Sequence, residues 1–345
     1  MEYKIENISK ETIELYNSCF AKNGTAKSID KIKWQFLENP VNKQFVDIAI
    51  DEENNKVAAI YAIAPVAFII NSGVAIGAQS LDTITDEEYR GKGLFIKLAK
   101  DVYEKATVAE VKLVYGFPNG NSIYGFQKKL NWDILDPVPF LLKPIKTKYF
   151  TNKIGVLSWL PNINIGRRHS ADRSYKIIDS LSFPHEVNQL WLKFSKDINV
   201  AVNRDKQYLD WRYVDKPNEG YIIRHIYKND DYLGYVVFCI KEKHGGKVAY
   251  IMELIYDLDN QKVGEELIKN AVNEIINQGA DCILSWCLDH SPNFKIFKKY
   301  GFYNMPEKLK PIELHFGACT FEDTLRPVVR KRENWYLSYS DSDTV

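Results

Sequence analysis

The sequence predicts an α/β chain made of two copies of one fold, and three observations carry that prediction. A strand running through Leu81 meets a glycine-containing turn, Arg90-Gly91-Lys92-Gly93, which opens an amphipathic helix. A strand, a second helix and a terminal strand follow, the alternation of an α/β unit. Residues from the start, middle and end of this unit recur in the same order 170 to 177 positions later, as in an internal repeat.

The turn comes first because it carries chemistry. Glycines at a strand-to-helix turn let backbone N–H groups point at a bound anion, and a helix N-terminus adds positive potential. Arg90 and Lys92 add formal charge at the same place, so the turn suits a pyrophosphate. No Gly-Lys-Ser/Thr follows at P-loop spacing, and the third glycine of a dinucleotide fingerprint is missing. Over residues 93–107, apolar Leu94, Leu98, Val102 and Ala106 recur at helical spacing. Residues 111–117 read as a buried strand. Asn119-Gly120-Asn121-Ser122 is a turn and helix-cap cluster, and a second helix ends in Phe126-Gln127-Lys128-Lys129-Leu130-Asn131-Trp132.

Tyr89-Arg90-Gly91-Lys92-Gly93-Leu94 resembles the acyl-CoA-binding motif of the GNAT acetyltransferase superfamily, Arg/Gln-x-x-Gly-x-Gly/Ala between a strand and a helix. Arg90 and Gly93 match, while Phe95 stands where a small residue is usual. The order of elements is that of a GNAT core. The 126–132 segment is similar to the family's Tyr-x-Lys-x-Gly-Phe, with Asn131 for the glycine and Gln127 where a tyrosine often serves as general acid. The resemblance implies two tandem GNAT-like domains, each a mixed, mostly antiparallel sheet flanked by helices. It also implies acyl-CoA as co-substrate, with direct transfer to an amine and no covalent enzyme intermediate. Backbone groups at Thr83 and Thr85 would hold the pantetheine arm, and Arg90, Gly91, Lys92, Gly93, Leu94 and Phe95 the phosphates. Asn119 and Asn121 would contact CoA or acceptor, unless turn chemistry alone explains them.

Such a transfer needs positioning, proton removal from the amine and stabilisation of charge on the thioester oxygen. Asp82 is the acid nearest this point, and strand alternation puts it on the opposite face from Thr83. It either orients or deprotonates the amine, or serves structurally by pairing with a lysine. Tyr124 is the phenol nearest the missing acid position and the candidate proton donor to the leaving thiolate. Tyr115 ends the next strand, where an acceptor would sit.

The repeat compares Lys33-Trp34-Gln35-Phe36-Leu37-Glu38-Asn39-Pro40 with Asp210-Trp211-Arg212-Tyr213-Val214-Asp215-Lys216-Pro217, 177 positions on. Tyr3-Lys4-Ile5 recurs as Tyr175-Lys176-Ile177, and the 126–132 segment as Ile296-Phe297-Lys298-Lys299-Tyr300-Gly301-Phe302. The second copy's turn carries Asp257 and Asp259, which repel phosphate. One acyl-CoA site is therefore expected, in the first copy. The second copy either helps build the acceptor pocket or is a structural partner. Arg204, Arg212, Asp341 and Asp343 are its candidate acceptor contacts, the last two on a C-terminal segment that is either anchored by aromatics or frayed. The expected boundaries are 1–142 for the domain with the acyl-CoA site, 143–173 for a proline-marked linker and 174–345 for a degenerate second domain.

Composition fits. The 345 residues are 45% apolar, enough for two cores, and a net charge of +1 argues against nucleic acid as partner. The uncharged run 57–81 is broken by Pro65 and Asn71-Ser72-Gly73, so it reads as two strands and a turn with no membrane insertion. Five cysteines without ligand spacing, no apolar leader, scattered histidines and no Gly-x-Ser-x-Gly elbow point to a cytoplasmic protein without a metal or covalent nucleophile. The whole chain resembles GNAT proteins of bacterial surface-polysaccharide synthesis, including N-acyltransferases of nucleotide-linked amino sugars. That implies acetyl-CoA or a short hydroxyacyl-CoA as donor and a dTDP- or UDP-linked amino sugar as acceptor. Another amine (an antibiotic, peptide or polyamine) and a non-catalytic acyl-CoA sensor are the alternatives.

Overall fold

The computed structural model describes residues 2–24, 26–151, 159, 161–306, 310 and 315–345. The first half runs β1 (Tyr3–Asn7), α1 (Ile13–Lys22), α2 (Ile29–Ile32), a π-helical turn (Lys33–Leu37), β2 (Phe45–Asp51), β3 (Lys56–Ile70), β4 (Gly73–Thr85), α3 (Leu94–Val108), β5 (Val111–Gly116), α4 (Ile123–Lys129), β6 (Asp133–Ile134), β7 (Phe140–Pro144) and α5 (Lys148–Thr151). The second runs β8 (Lys176–Ser180), α6 (Val187–Phe194), β9 (Val200–Val202), α7 (Lys206–Tyr213), β10 (Ile222–Lys228), β11 (Asp231–Lys243), β12 (Gly246–Tyr256), α8 (Gln261–Asn277), β13 (Cys282–Trp286), α9 (Pro292–Lys299), β14 (Tyr303–Asn304), β15 (Gly317–Thr320) and α10 (Arg326–Val329).

Two mixed sheets result. One has the order β1-β2-β3-β4-β5-β15-β6, with β9 pairing the end of β3; the other has the order β14-β7-β13-β12-β11-β10-β8. Pairing is antiparallel except at β4/β5 and β12/β13. Each parallel pair is joined by a long helix, α3 or α8, because parallel neighbours need a crossover connection. Both helices bury one apolar stripe: Leu94, Leu98, Val102 and Ala106 in α3, and Val263, Leu267, Ala271 and Ile275 among others in α8.

The uncharged run of 57–81 forms the β3/β4 hairpin, with Asn71 and Ser72 at the turn in positive-φ conformations. Pro65 does not break the run. It lies inside β3, two residues beyond Ile63, the last position paired with β2, where β3 has lost one neighbour and a missing N–H is tolerated.

The halves exchange strands. From the first half, β7 pairs β13 and β14 in the second sheet, while β15 from the second half pairs β5 and β6 in the first. The expected boundary at 142/143 thus falls inside β7, and part of the expected linker builds the second sheet. Residues 152–158 and 160 of that linker lie outside the described residues. The C-terminal segment then runs back between the sheets. Its Trp335, Tyr336, Leu337 and Tyr339 are buried in the larger core cluster with Phe68, Tyr115 and Trp286.

Candidate functional site

β4 and β5 pair from Ile76↔Val111 to Ser80↔Gly116, and then β4 continues to Thr85 paired only with β3. The strands part there and leave a cleft of about 600 Å³, within the range of about 300–1,000 Å³ usual for small-molecule sites. Ser80, Leu81, Thr83, Thr85, Arg90, Phe95, Gly116, Phe117, Asn119, Asn121 and Trp132 are among its lining residues. Opposite β3, Leu81 and Asp82 together face Ala62, because Tyr61 pairs Thr83 while Ile63 pairs Ser80. This bulge frees a backbone stretch where the cleft begins.

The turn before α3 is held from below. Asp86 accepts from the Glu88 amide at 3.1 Å and pairs with Lys22 at 2.7 Å, and the buried Tyr89 donates to Asp51 at 2.7 Å. Gly91 and Gly93 adopt φ of +78° and +74°, a region unfavourable to other residues. Gly93 is the N-cap of α3 and offers no side chain to its first-turn amides, so those donors and the helix dipole remain available to an anion. Arg90 stands at the rim, its guanidinium 3.4 Å from the exposed Glu87 carboxylate. Asn119 is committed to turn geometry, since its side chain accepts from the amides of Asn121 and Ser122 at 3.0 and 3.2 Å.

Residues 6–135 match the family model described as acetyltransferase (GNAT) domain. The cleft lies within this matched stretch. No curated relative matches the sequence. Among solved structures, a GCN5-related N-acetyltransferase from Anabaena variabilis aligns with a TM-score of 0.66 at 13% identity, over 95% of this chain and 75% of that one. A probable N-acyltransferase from Enterococcus faecalis aligns at 0.65 and 12%, over 95% and 75%. Saccharomyces cerevisiae N-myristoyltransferase, solved with bound myristoyl-CoA, aligns at 0.60 and 12%, over 92% and 82%. At these identities the likeness is one of fold, and it spans both halves. With the domain match, it supports an acyltransferase.

Asp82 is not among the residues that line the cleft. It is buried, accepts from Tyr16 Oη at 2.5 Å and is paired with Lys27. Burial of Lys27 works against its charge, but Asp82 and then Asp343 outweigh that and raise its pKa. Burial, followed by the Asp82 charge, also holds the Tyr16 phenol well above its usual range. Neither Tyr16 nor Lys27 was singled out by sequence; they reach Asp82 from α1 and the loop after it.

The remaining predicted contacts separate into two groups. Tyr115, Arg212 and Asp343 line a narrow pocket between the halves, with Lys31, Trp34, Gln35, Gln79, Tyr208 and Lys216. The Oε1 atom of Gln35 is buried there with no hydrogen-bond partner among the described residues. Burial and the Arg212 guanidinium push Lys216 down to about 7, against the pull of Glu219 at 3.2 Å. Arg204 and Asp341 are instead fully buried and paired at 2.6 Å, and Arg204 also binds Glu253 at 3.1 Å. They anchor the C-terminal segment: Ser338 and Ser340 donate to Glu253 at 3.1 and 3.0 Å, and Arg212 binds the Ser340 and Ser342 carbonyls at 3.1 Å each. Tyr124 does not reach the cleft; it is 65% exposed on α4.

The second half closes its own version of the cleft. Where β12 and β13 part beyond Ile251↔Ser285, the space is occupied by Tyr336, Leu337 and Ser338. The Tyr336 hydroxyl donates to Glu253 at 2.6 Å. β12 carries a bulge at Met252, between the Glu253↔Val237 and Ile251↔Phe238 pairs. Glu253 therefore stands where Asp82 stands in the first copy, 171 positions earlier. This offset of 171 lies between the 172 of the Tyr3/Tyr175 pair and the 170 of the 126–132 segment, so comparing the strands within that interval would have pointed to this acid.

Proposed function

We propose that the chain is an acyl-CoA-dependent N-acyltransferase that passes a short acyl group directly to the amine of a nucleotide-linked amino sugar. The cleft between the diverging β4 and β5, with the glycine turn of α3 at its mouth, carries the reading. Phosphates at the α3 N-terminus and a pantetheine arm along Thr83 and Thr85 leave the thioester near the bulge, where free backbone donors can polarise its carbonyl. The amine enters from the opposite face, between the halves. Asp82 and its partner Lys27 lie on that face, and Lys31, Tyr208 and Lys216, which line the narrow pocket between the halves, supply cationic and phenolic groups suited to a phosphate. Attack gives a tetrahedral intermediate that collapses to amide and CoA thiolate, and the ammonium proton leaves to water or Asp82.

Thiol release from acetyl-CoA, measured with UDP- and dTDP-linked amino sugars against polyamines and peptides, tests this reading. Release dependent on a sugar nucleotide supports it. Release only with another amine replaces the acceptor, and acyl-CoA binding without turnover across the panel would favour a sensor.

A further inference from the structure

Trp132 sits at the inner end of the cleft in a socket made by two facing glycines. Gly116 of β5 and Gly317 of β15 are cross-strand partners. A Cβ at Gly116 would lie 3.3 Å from the indole Cη2, and one at Gly317 would lie 3.1 Å from its Cε3. The Ser80 carbonyl at 2.8 Å and Ile134 Cδ1 at 3.0 Å crowd the same two positions, so glycine at both leaves the room in which the indole lies. Phe126 packs on it at 4.6 Å between centroids.

A hydrogen-bonded chain holds the ring in place. The indole N–H donates to the Tyr103 hydroxyl at 2.9 Å; Tyr103 and Tyr61 share a bond of 2.8 Å; Tyr61 and Ser80 share one of 3.0 Å. An indole N–H can only donate, so a ring flip would strand a buried donor, at a cost of about 1–3 kcal/mol. Ser80 and Trp132 face the cleft. Tyr103 lines a second cavity of about 670 Å³ on the other side, with Lys100, Leu130, Cys319 and Phe321. Trp132 thus lines the first cavity and its hydrogen-bond partner Tyr103 the second.

Resting on the acyl-CoA reading, we propose that Trp132 is the end wall of the acyl site and sets the length of acyl chain accepted. Arg90 and the α3 N-terminus mark the mouth of the cleft, and the Ser80–Gly116 junction marks its inner end. A CoA whose phosphates lie at the mouth carries its acyl group inward, towards the indole. A two- to four-carbon group ends against the ring. A longer chain needs the space beyond, which opens when the ring is removed.

The test is calorimetric binding of acetyl-, butanoyl- and octanoyl-CoA to the full chain and to Trp132→Ala and Trp132→Phe, with no acceptor needed. The wild type and Trp132→Phe should prefer the short chains. Trp132→Ala should bind octanoyl-CoA at least about tenfold tighter than the wild type does, the gain expected from burying roughly two more methylenes. Trp132→Leu carries the same test should the alanine variant not fold. A wild type that binds octanoyl-CoA as tightly as acetyl-CoA overturns the proposal, as does an unchanged chain-length profile in Trp132→Ala or Trp132→Leu. No binding of any acyl-CoA by the wild type refutes the acyl-CoA reading itself, a separate result.

Discussion

Trp34 and Trp211 stack face to face, 4.4 Å between ring centroids and 14° between planes. Each indole N–H donates to the other's backbone carbonyl, at 2.7 and 3.1 Å. Equivalent residues of the repeat thus meet each other across the boundary between its copies, a reciprocal contact like that of a two-fold dimer interface. With the exchange of β7 and β15, this contact makes the halves mutually dependent.

Trp34→Ala and Trp211→Ala should each cost about 3–5 kcal/mol, as for other buried tryptophans. The double variant should lose less than the sum, by about 0.5–3 kcal/mol, because one contact is removed twice. Urea unfolding of the four proteins measures the cycle; strict additivity would mean that the stacking does not couple the halves.

Binding of acyl-CoA should show one site per chain, because the second half's cleft is filled by residues 336–338. Gly93→Val should weaken it by about tenfold or more. The position is open, with no atom within 4 Å of where a Cβ would lie, so the effect comes from forcing a φ of +74° on a branched residue and tilting the first-turn amides. Gly220→Ala, with no neighbour within 4 Å and no positive φ, is the control. Gly264 is unsuitable for that purpose, since a Cβ there would meet Ile296 Cδ1 at 2.6 Å and Tyr256 Cε1 at 2.7 Å.

Asp82→Asn should lower stability, on the order of 3 kcal/mol, by leaving the buried Lys27 ammonium without its nearest carboxylate. Its effect on turnover should be smaller than about a thousand-fold, because a sugar amine, closer to an α-amino group than to lysine, is partly neutral at pH 7. A larger loss in kcat with normal binding of both substrates would establish Asp82 as a dedicated base. Tyr124→Phe, exposed and outside the cleft, should leave kcat unchanged.

Lys216 gives a pH signature. Its folded pKa, about 7, lies below the ordinary 10.5. Between these values the unfolded chain holds the extra proton, so this group adds stability as pH rises from about 7 and withdraws it as pH falls back through 7. The difference in Tm between the wild type and Lys216→Met should therefore shift in favour of the wild type from pH 7 to pH 9. A pH-independent difference would show that Glu219 keeps the lysine charged throughout.

Local pattern determined much of this by itself. Glycines that demand positive φ and a stripe of apolar residues at helical spacing located the cleft mouth and α3, because each depends on neighbours within a few residues. The repeat announced two copies for the same reason. Only the tertiary structure decided that β7 and β15 change places, that Tyr336 plugs the second cleft, that Arg204 and Asp341 anchor a tail, and that Trp132 closes the first cleft. Those outcomes rest on pairings between residues far apart in the chain, such as Gly116 with Gly317 and Arg204 with Asp341. Burial and strand register select such pairings among many that the local sequence permits equally well.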